Sequence, residues 1–190
     1  MNNNNKNSTL LKGFDNAIKK ICKNNITDQG ILKKIIYIEN VEESVFDDVG
    51  QCVVDNIKKI TNISYRNSKN DYIIINPDLR DQTRTHESLQ RINGFADYSN
   101  EYTGVVIVDL SKIDECLKFG FETQIEEIIY SLNKQSKYST LVLISNTSSE
   151  KRKKIFLNVF KERLVEIKPK EQNRSIQRKE DQNEKRTTRQ

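Results

Sequence analysis

With 190 residues, 35% of them hydrophobic, the chain has material for one ordinary domain with a real core and too little for two. A run of about 18 apolar residues is missing, and the start Met1-Asn2-Asn3-Asn4-Asn5-Lys6 lacks the apolar stretch of a secretory signal, so a cytoplasmic chain with no membrane partner is expected. The net charge of +5 suggests nucleic acid until it is located: Lys168 to Gln190 holds eight basic and four acidic residues, leaving residues 1–167 with about +1.

That basic tail is rich in Gln, Arg, Lys and Glu, with Ile176 its single large apolar residue. It cannot bury enough surface to offset chain entropy, so residues 170–190 are expected to be a disordered extension. The functional alternative is weak, salt-sensitive phosphate contact. Residues 1–7 are Asn-rich and are expected to be disordered too, which leaves 8–169 as the folded domain. Cys22, Cys52 and Cys116 lie 30 and 64 positions apart. An odd number without metal spacing points to reduced, buried thiols and not to a disulfide framework or a zinc site.

In chain order, Leu10, Leu11, Phe14, Ala17, Ile18 and Ile21 mark one face of a helix, with Ser8 or Thr9 as its cap. Asn24 to Gly30 is a turn region, and Lys33 to Ile38 is the first strand. A long connection leads to a helical pattern from Cys52 to Ile60. Asp71 to Pro77 is a short buried strand stopped by proline, and Glu87 to Phe95 reads as helix. Val105 to Asp109 is an apolar strand ending in a carboxylate, and Ile125, Ile128, Ile129 and Leu132 give the next helix its buried stripe. Leu141 to Asn146 is a further strand, Ile155 to Phe160 is helical, and Leu164 to Ile167 is a last short strand. Uninterrupted β-branched strands alternating with helices imply an α/β fold, a parallel sheet covered on both faces. Sites in such sheets form beyond the carboxyl ends of the strands, where Glu39, Asn76, Asp109 and Asn146 should gather.

The connection from Glu39 to Gly50 is the most informative stretch. Strand, loop and helix in this order are the frame of a P-loop nucleotide site. Such a site needs glycines whose neighbouring N–H groups face the phosphates, a Lys for the β- and γ-phosphates, and a Ser or Thr for magnesium. Here the connection has no Lys or Arg, a single Gly at its far end, Ser44, and five carboxylates: Glu39, Glu42, Glu43, Asp47 and Asp48. A polyphosphate would meet like charge. The frame is therefore that of a P-loop NTPase-like sheet with a degenerate loop, needing no cofactor and acting through contacts with partners.

Other residues carry paired readings. Asp109 stands where a P-loop enzyme holds magnesium, but Leu110 replaces the catalytic Glu that often follows, so a loop-capping carboxylate is the simpler role. Asn146 stands at a γ-phosphate sensor position and, with no phosphate to sense, reads as a loop hydrogen-bonder. His86 is the lone histidine and lies in a polar loop without a base–orienter arrangement. Lys151, Arg152, Lys153 and Lys154 open the last helix: a solvated face, or a contact for DNA or an acidic partner. Arg163 is hemmed by Phe160, Leu164 and Val165, as an interface residue or as a stem covering the sheet edge.

Ordered in this way, the landmarks resemble the first domain of the AAA+ clamp-loader family, and within it the delta-prime subunits of bacterial DNA polymerase III. The similarity runs from Leu11 to Pro169. The helix Leu11–Ile21 with strand Ile35–Ile38, the segment Asp71–Asp78, Ser88–Ile92, the strand Gly104–Asp109 with Ile113-Asp114-Glu115, the helix Phe121–Leu132 and the sensor strand Thr140–Asn146 follow the family's order and spacing. Arg163 and Ile167 keep the spacing of the family's Ser-Arg-Cys motif, although Glu162 and Leu164 replace its Ser and Cys. The resemblance implies a stator that does not bind ATP, docks on ATP-binding clamp-loader subunits through an arginine acting in trans at Arg163, and meets DNA indirectly or weakly through basic segments. The zinc module, helical lid and collar of that family have no counterpart here. Two other readings stand beside it. A receiver-like regulatory domain would use Asp109 as phosphoacceptor with Ser145 near the switch position. A helicase-loader-like remnant would share the fold and change the partner.

Overall fold

The computed structural model describes residues 3–28, 30–61, 72–78, 104–120 and 122–168, with positions 81, 83, 86, 87 and 90. The basic tail beyond residue 168 and most of the expected Glu87–Phe95 helix lie outside the described residues. Five strands, β1 (Ile35–Ile38), β2 (Tyr72–Ile75), β3 (Val105–Asp109), β4 (Thr140–Ile144) and β5 (Leu164–Ile167), form one all-parallel sheet in the order β2-β3-β4-β1-β5. The described helices are α1 (Asn3–Cys22), α2 (Phe46–Thr61), α3 (Ile113–Lys118), α4 (Glu122–Gln135) and α5 (Glu150–Phe160), with 3-10 turns at Glu43–Val45 and Lys161–Arg163.

Alternation along the strands assigns the two faces. Ile35, Tyr37, Val106, Val108, Leu141 and Leu143 face α3, α4 and α5 and meet Ile113, Ile125, Ile128, Leu132, Phe156 and Phe160. Ile36, Ile38, Val105, Ile107, Val142 and Ile144 face α1 and α2 and meet Phe14, Ile18, Val49, Val53 and Ile57. Both sides of β1, β3 and β4 are buried, which is why these strands carry no polar alternation. The expected α/β sheet covered on both faces is the fold. The strand order differs from the 2-1-3-4-5 order of receiver-type sheets, where the first strand lies beside the third. Here β4 separates β1 from β3, which places Glu39 and Asp109 two strands apart.

Three boundaries differ from expectation. α1 begins at Asn3, ahead of Ser8 and Thr9, so neither caps it. α5 begins at Glu150, capped by Ser149, whose Oγ accepts from the Arg152 N–H. α2 begins at Phe46, six residues before the expected start. Phe46, Val49, Val53 and Ile57 form its inward stripe at 3.6-residue spacing, and Asp47 and Asp48 occupy the first turn, where the helix dipole favours anions. The long phosphate-type loop therefore shrinks to Glu39–Glu42 and one 3-10 turn. Gly50 lies inside α2 and not in a loop. A Cβ there would stand 2.5 Å from Ile107 Cδ1 and 2.9 Å from Tyr72 Cδ2, so this glycine serves the close approach of helix and sheet.

Candidate functional site

Arg152 organises the carboxyl edge of the sheet. It lies on the same helix face as Phe156 and Phe160 and is fully buried (0% exposed). Its guanidinium donates from Nη2 to Glu39 Oε1 at 2.7 Å and from Nη1 to Asp114 Oδ2 at 2.7 Å. Nε donates to the Tyr37 hydroxyl at 3.2 Å, and Nη2 and Nη1 reach the Thr147 carbonyl and hydroxyl at 2.8 and 3.2 Å. The Tyr37 ring lies tilted beside Phe156, with centroids 6.3 Å apart, and its hydroxyl donates to Glu39 Oε1 at 2.7 Å. Glu39 also accepts from the Ser149 N–H at 3.1 Å and the Ser148 hydroxyl at 3.2 Å.

Burial pushes the Glu39 carboxyl up, but the donors from Tyr37, Arg152 and Ser149 outweigh it and hold the group below the usual glutamate range. Burial raises the Tyr37 phenol, with Glu39 adding to the rise and Arg152 opposing it. For Arg152 burial works against the charge, and the contacts with Tyr37, Glu39 and Asp114 more than restore it. One buried cation thus joins the end of β1, the start of α3 and the β4–α5 connection. Among the described residues the buried Asp114 Oδ1 has no hydrogen-bond partner, and its other oxygen is held by Arg152. Arg152 and Glu39 are saturated by protein groups, and neither can meet a substrate without breaking the knot.

The acidic connection lies over β4. The Val41 N–H donates to the Ser145 carbonyl at 3.2 Å and the Ser145 N–H to the Ile38 carbonyl at 3.0 Å. Val41 and Val45 are buried, and Asn40 turns the chain in the left-handed region at φ 59°. Glu42, Glu43 and Ser44 are exposed. Asn146 donates from Nδ2 to Glu43 Oε1 at 2.9 Å. An open depression lined by Asn40, Val41, Glu42, Glu43, Asn146 and Thr147 holds carboxylates and no cation. Asp109 caps its own turn, accepting from the Ser111 N–H at 2.9 Å.

The structure brings Glu39, Ser44, Asp109 and Asn146 to one edge and separates two other residues from them. Gly50 faces the sheet. Arg163 lies at the opposite edge, before β5, where it is half-buried and donates to Ser136 Oγ at 2.8 Å and to Asn133 Oδ1 and the Lys33 carbonyl at 3.4 Å. The basic run at the start of α5 is not one surface. Arg152 is in the core and cannot contact DNA or a partner. Lys153 pairs with Glu166 at 2.8 Å, Lys151 donates to the Leu117 carbonyl at 3.4 Å, and both Lys151 and Lys154 are exposed.

Sequence reasoning missed Tyr37, Asp114 and the role of Arg152. A signal was present for the last: Arg152 stands four residues before Phe156 and eight before Phe160, on the buried stripe. His86 is exposed and sits 2.9 Å from Gln90. Cys22 and Cys116 are buried, Cys52 partly, and no disulfide joins them. Among the described residues no helix is long and apolar enough to cross a membrane, and no group of His, Cys, Asp and Glu is arranged to hold a metal. No protein-family model matches the chain, and no curated protein matches it.

Proposed function

We propose that this chain is a nucleotide-type fold that takes no nucleotide and works by docking, as a delta-prime-like, non-catalytic stator of a DNA-polymerase clamp loader. The observation that carries the reading is the Arg152 knot. The buried cation at the carboxyl edge is consumed by Glu39 and Asp114, and the short connection after β1 adds Glu42 and Glu43 where phosphates need donors and Lys. The order of strand, acidic connection, helix and two further strands leading to Asp109 and Asn146 supports a degenerate P-loop frame. Calorimetric titration with Mg-ATP should be flat. A dissociation constant of about 100 μM or tighter, roughly −5.5 kcal/mol, would overturn the reading.

The docking arginine in this reading is Arg163. Its partners in the chain are neutral and two of its three bonds are long, so the guanidinium can turn toward a neighbour's phosphate at small cost. Arg163→Ala should leave the fold intact and lower the ATPase rate of a reconstituted clamp-loader complex, since an arginine supplied in trans is worth up to roughly 10³–10⁵ in rate. A wild-type rate with a folded variant sinks the trans role. Co-purification from the native host, with identification of the bound proteins, tests the partner class directly.

A further inference from the structure

Cations that are scattered in the sequence meet at the amino edge of the sheet. Lys33 and Lys34 precede β1, Lys137 follows α4, and Lys161 and Arg163 precede β5. They are tied to one another: Lys34 Nζ donates to the Glu162 carbonyl at 2.7 Å, and Arg163 Nε to the Lys33 carbonyl at 3.4 Å. Arg163 Nη2 holds Ser136 Oγ at 2.8 Å, the residue next to Lys137. Lys33, Lys137 and Lys161 are exposed, and Lys34 and Arg163 are half-buried. Among the described residues none of these five makes an ion pair, and the carboxylates on the same turns are Glu162 and Asp28.

Helix dipoles account for part of this placement, since Lys161 and Arg163 lie at the carboxyl ends of α5 and α4. Lys33 and Lys34 belong to no helix, and their charges add to the patch without such a reason. Beside Arg163 the exposed polar groups include the Asn133 amide, while the Ser136 hydroxyl is buried beneath it. Exposed amides contact phosphates, whereas a protein partner needs apolar or aromatic anchors at the centre of its interface. Among the described residues the opposite edge mixes Glu42, Glu43, Asp47 and Asp48 with Lys151 and Lys154, whereas the amino edge gathers five cations, the side a polyanion would meet.

We propose that this amino-edge patch, built from Lys33, Lys34, Lys137, Lys161 and Arg163, binds the phosphodiester backbone of nucleic acid without reading its sequence. The patch shares Arg163 with the clamp-loader reading but is tested on Lys33, Lys137 and Lys161, which that reading does not use, and it involves none of Lys151, Lys153 and Lys154. Its test is fluorescence anisotropy of the full chain on duplex DNA of about 20 base pairs and arbitrary sequence, at salt from about 50 to 200 mM. The log–log salt slope should fall by about 0.9 for each phosphate contacted. Lys33→Gln/Lys137→Gln/Lys161→Gln removes three exposed charges without touching the core, and circular dichroism checks its fold.

This variant should bind at least about tenfold more weakly and with a salt slope shallower by roughly 2–3. The same loss should appear when the three substitutions are added to a chain already carrying Arg174→Gln/Arg178→Gln/Lys179→Gln, which separates the patch from the basic tail. Binding unchanged by the patch substitutions overturns the proposal, as does a wild-type chain that fails to bind at the lowest salt. Poly-glutamate binding to the patch as tightly as the duplex would assign it to an acidic protein and overturn it as well.

Discussion

Arg152 and its neighbours in sequence show how far a residue's role depends on which way it points. Four consecutive cations look alike in a sequence, yet Arg152 is in the core, Lys153 bridges to Glu166 and Lys154 faces solvent. Arg152→Ala would leave Glu39 and Asp114 buried without their cation and should cost about 3–5 kcal/mol in urea unfolding. Lys154→Ala should stay within about 0.5 kcal/mol. Equal effects would show that the knot contributes nothing. The knot also sets a pH response. Glu39 has a folded pKa below its unfolded value, so its stabilisation is fully present above the unfolded pKa of about 4.3 and is lost as pH falls through the folded value. The stability gap between wild type and Glu39→Gln should be constant above about pH 5 and shrink below about pH 4. A gap that widens on acidification would contradict the assigned direction.

At the scale of elements, the two glycines in the described helices act oppositely. A methyl group added at Gly13 in α1 would meet nothing within 4 Å, whereas one added at Gly50 in α2 would press against Ile107 and Tyr72. Gly13→Ala should therefore gain about 0.5–1 kcal/mol from helix propensity alone. Gly50→Ala gains the same propensity and must offset roughly 1–3 kcal/mol of overpacking, so its thermal midpoint should fall while that of Gly13→Ala rises. A rise in both would show that Ile107 yields freely and that α2 does not need its close approach. The helix start at Phe46 has a related cause: the stripe Phe46, Val49, Val53 and Ile57 is continuous, and its packing on the sheet outweighs the loop-like run of charges between Glu42 and Asp48.

For the whole molecule, the core is closed by residues up to Ile167, which pairs with Ile38 at the sheet's edge. A chain ending at Lys170 should thus melt within about 2 °C of the full chain, because the removed composition cannot support a core. A larger loss in differential scanning calorimetry would mean that the basic tail packs on the domain. Charge is also organised at this scale. Among the described residues the carboxyl edge carries Glu42, Glu43, Asp47 and Asp48 beside the lysines that open α5, and the amino edge carries Lys33, Lys34, Lys137, Lys161 and Arg163; the helix dipole favours Asp47 and Asp48 at the start of α2 and Lys161 at the end of α5.

The sequence alone determined the class of fold and the strands Val105–Asp109 and Leu164–Ile167 to the residue; for Val105–Asp109 the reason is that a fully buried parallel strand leaves an unbroken run of β-branched residues. It also located Glu39, Asp109 and Asn146 at strand ends, since strands and their termini are local features. Strand order, the burial of Arg152 against Tyr37, Glu39 and Asp114, and the meeting of Lys33, Lys137 and Arg163 were decided only in three dimensions. Those contacts join positions more than a hundred residues apart in several cases. A side chain's solvation and charge partners depend on which elements the sheet brings together, and periodicity within one element carries no record of them.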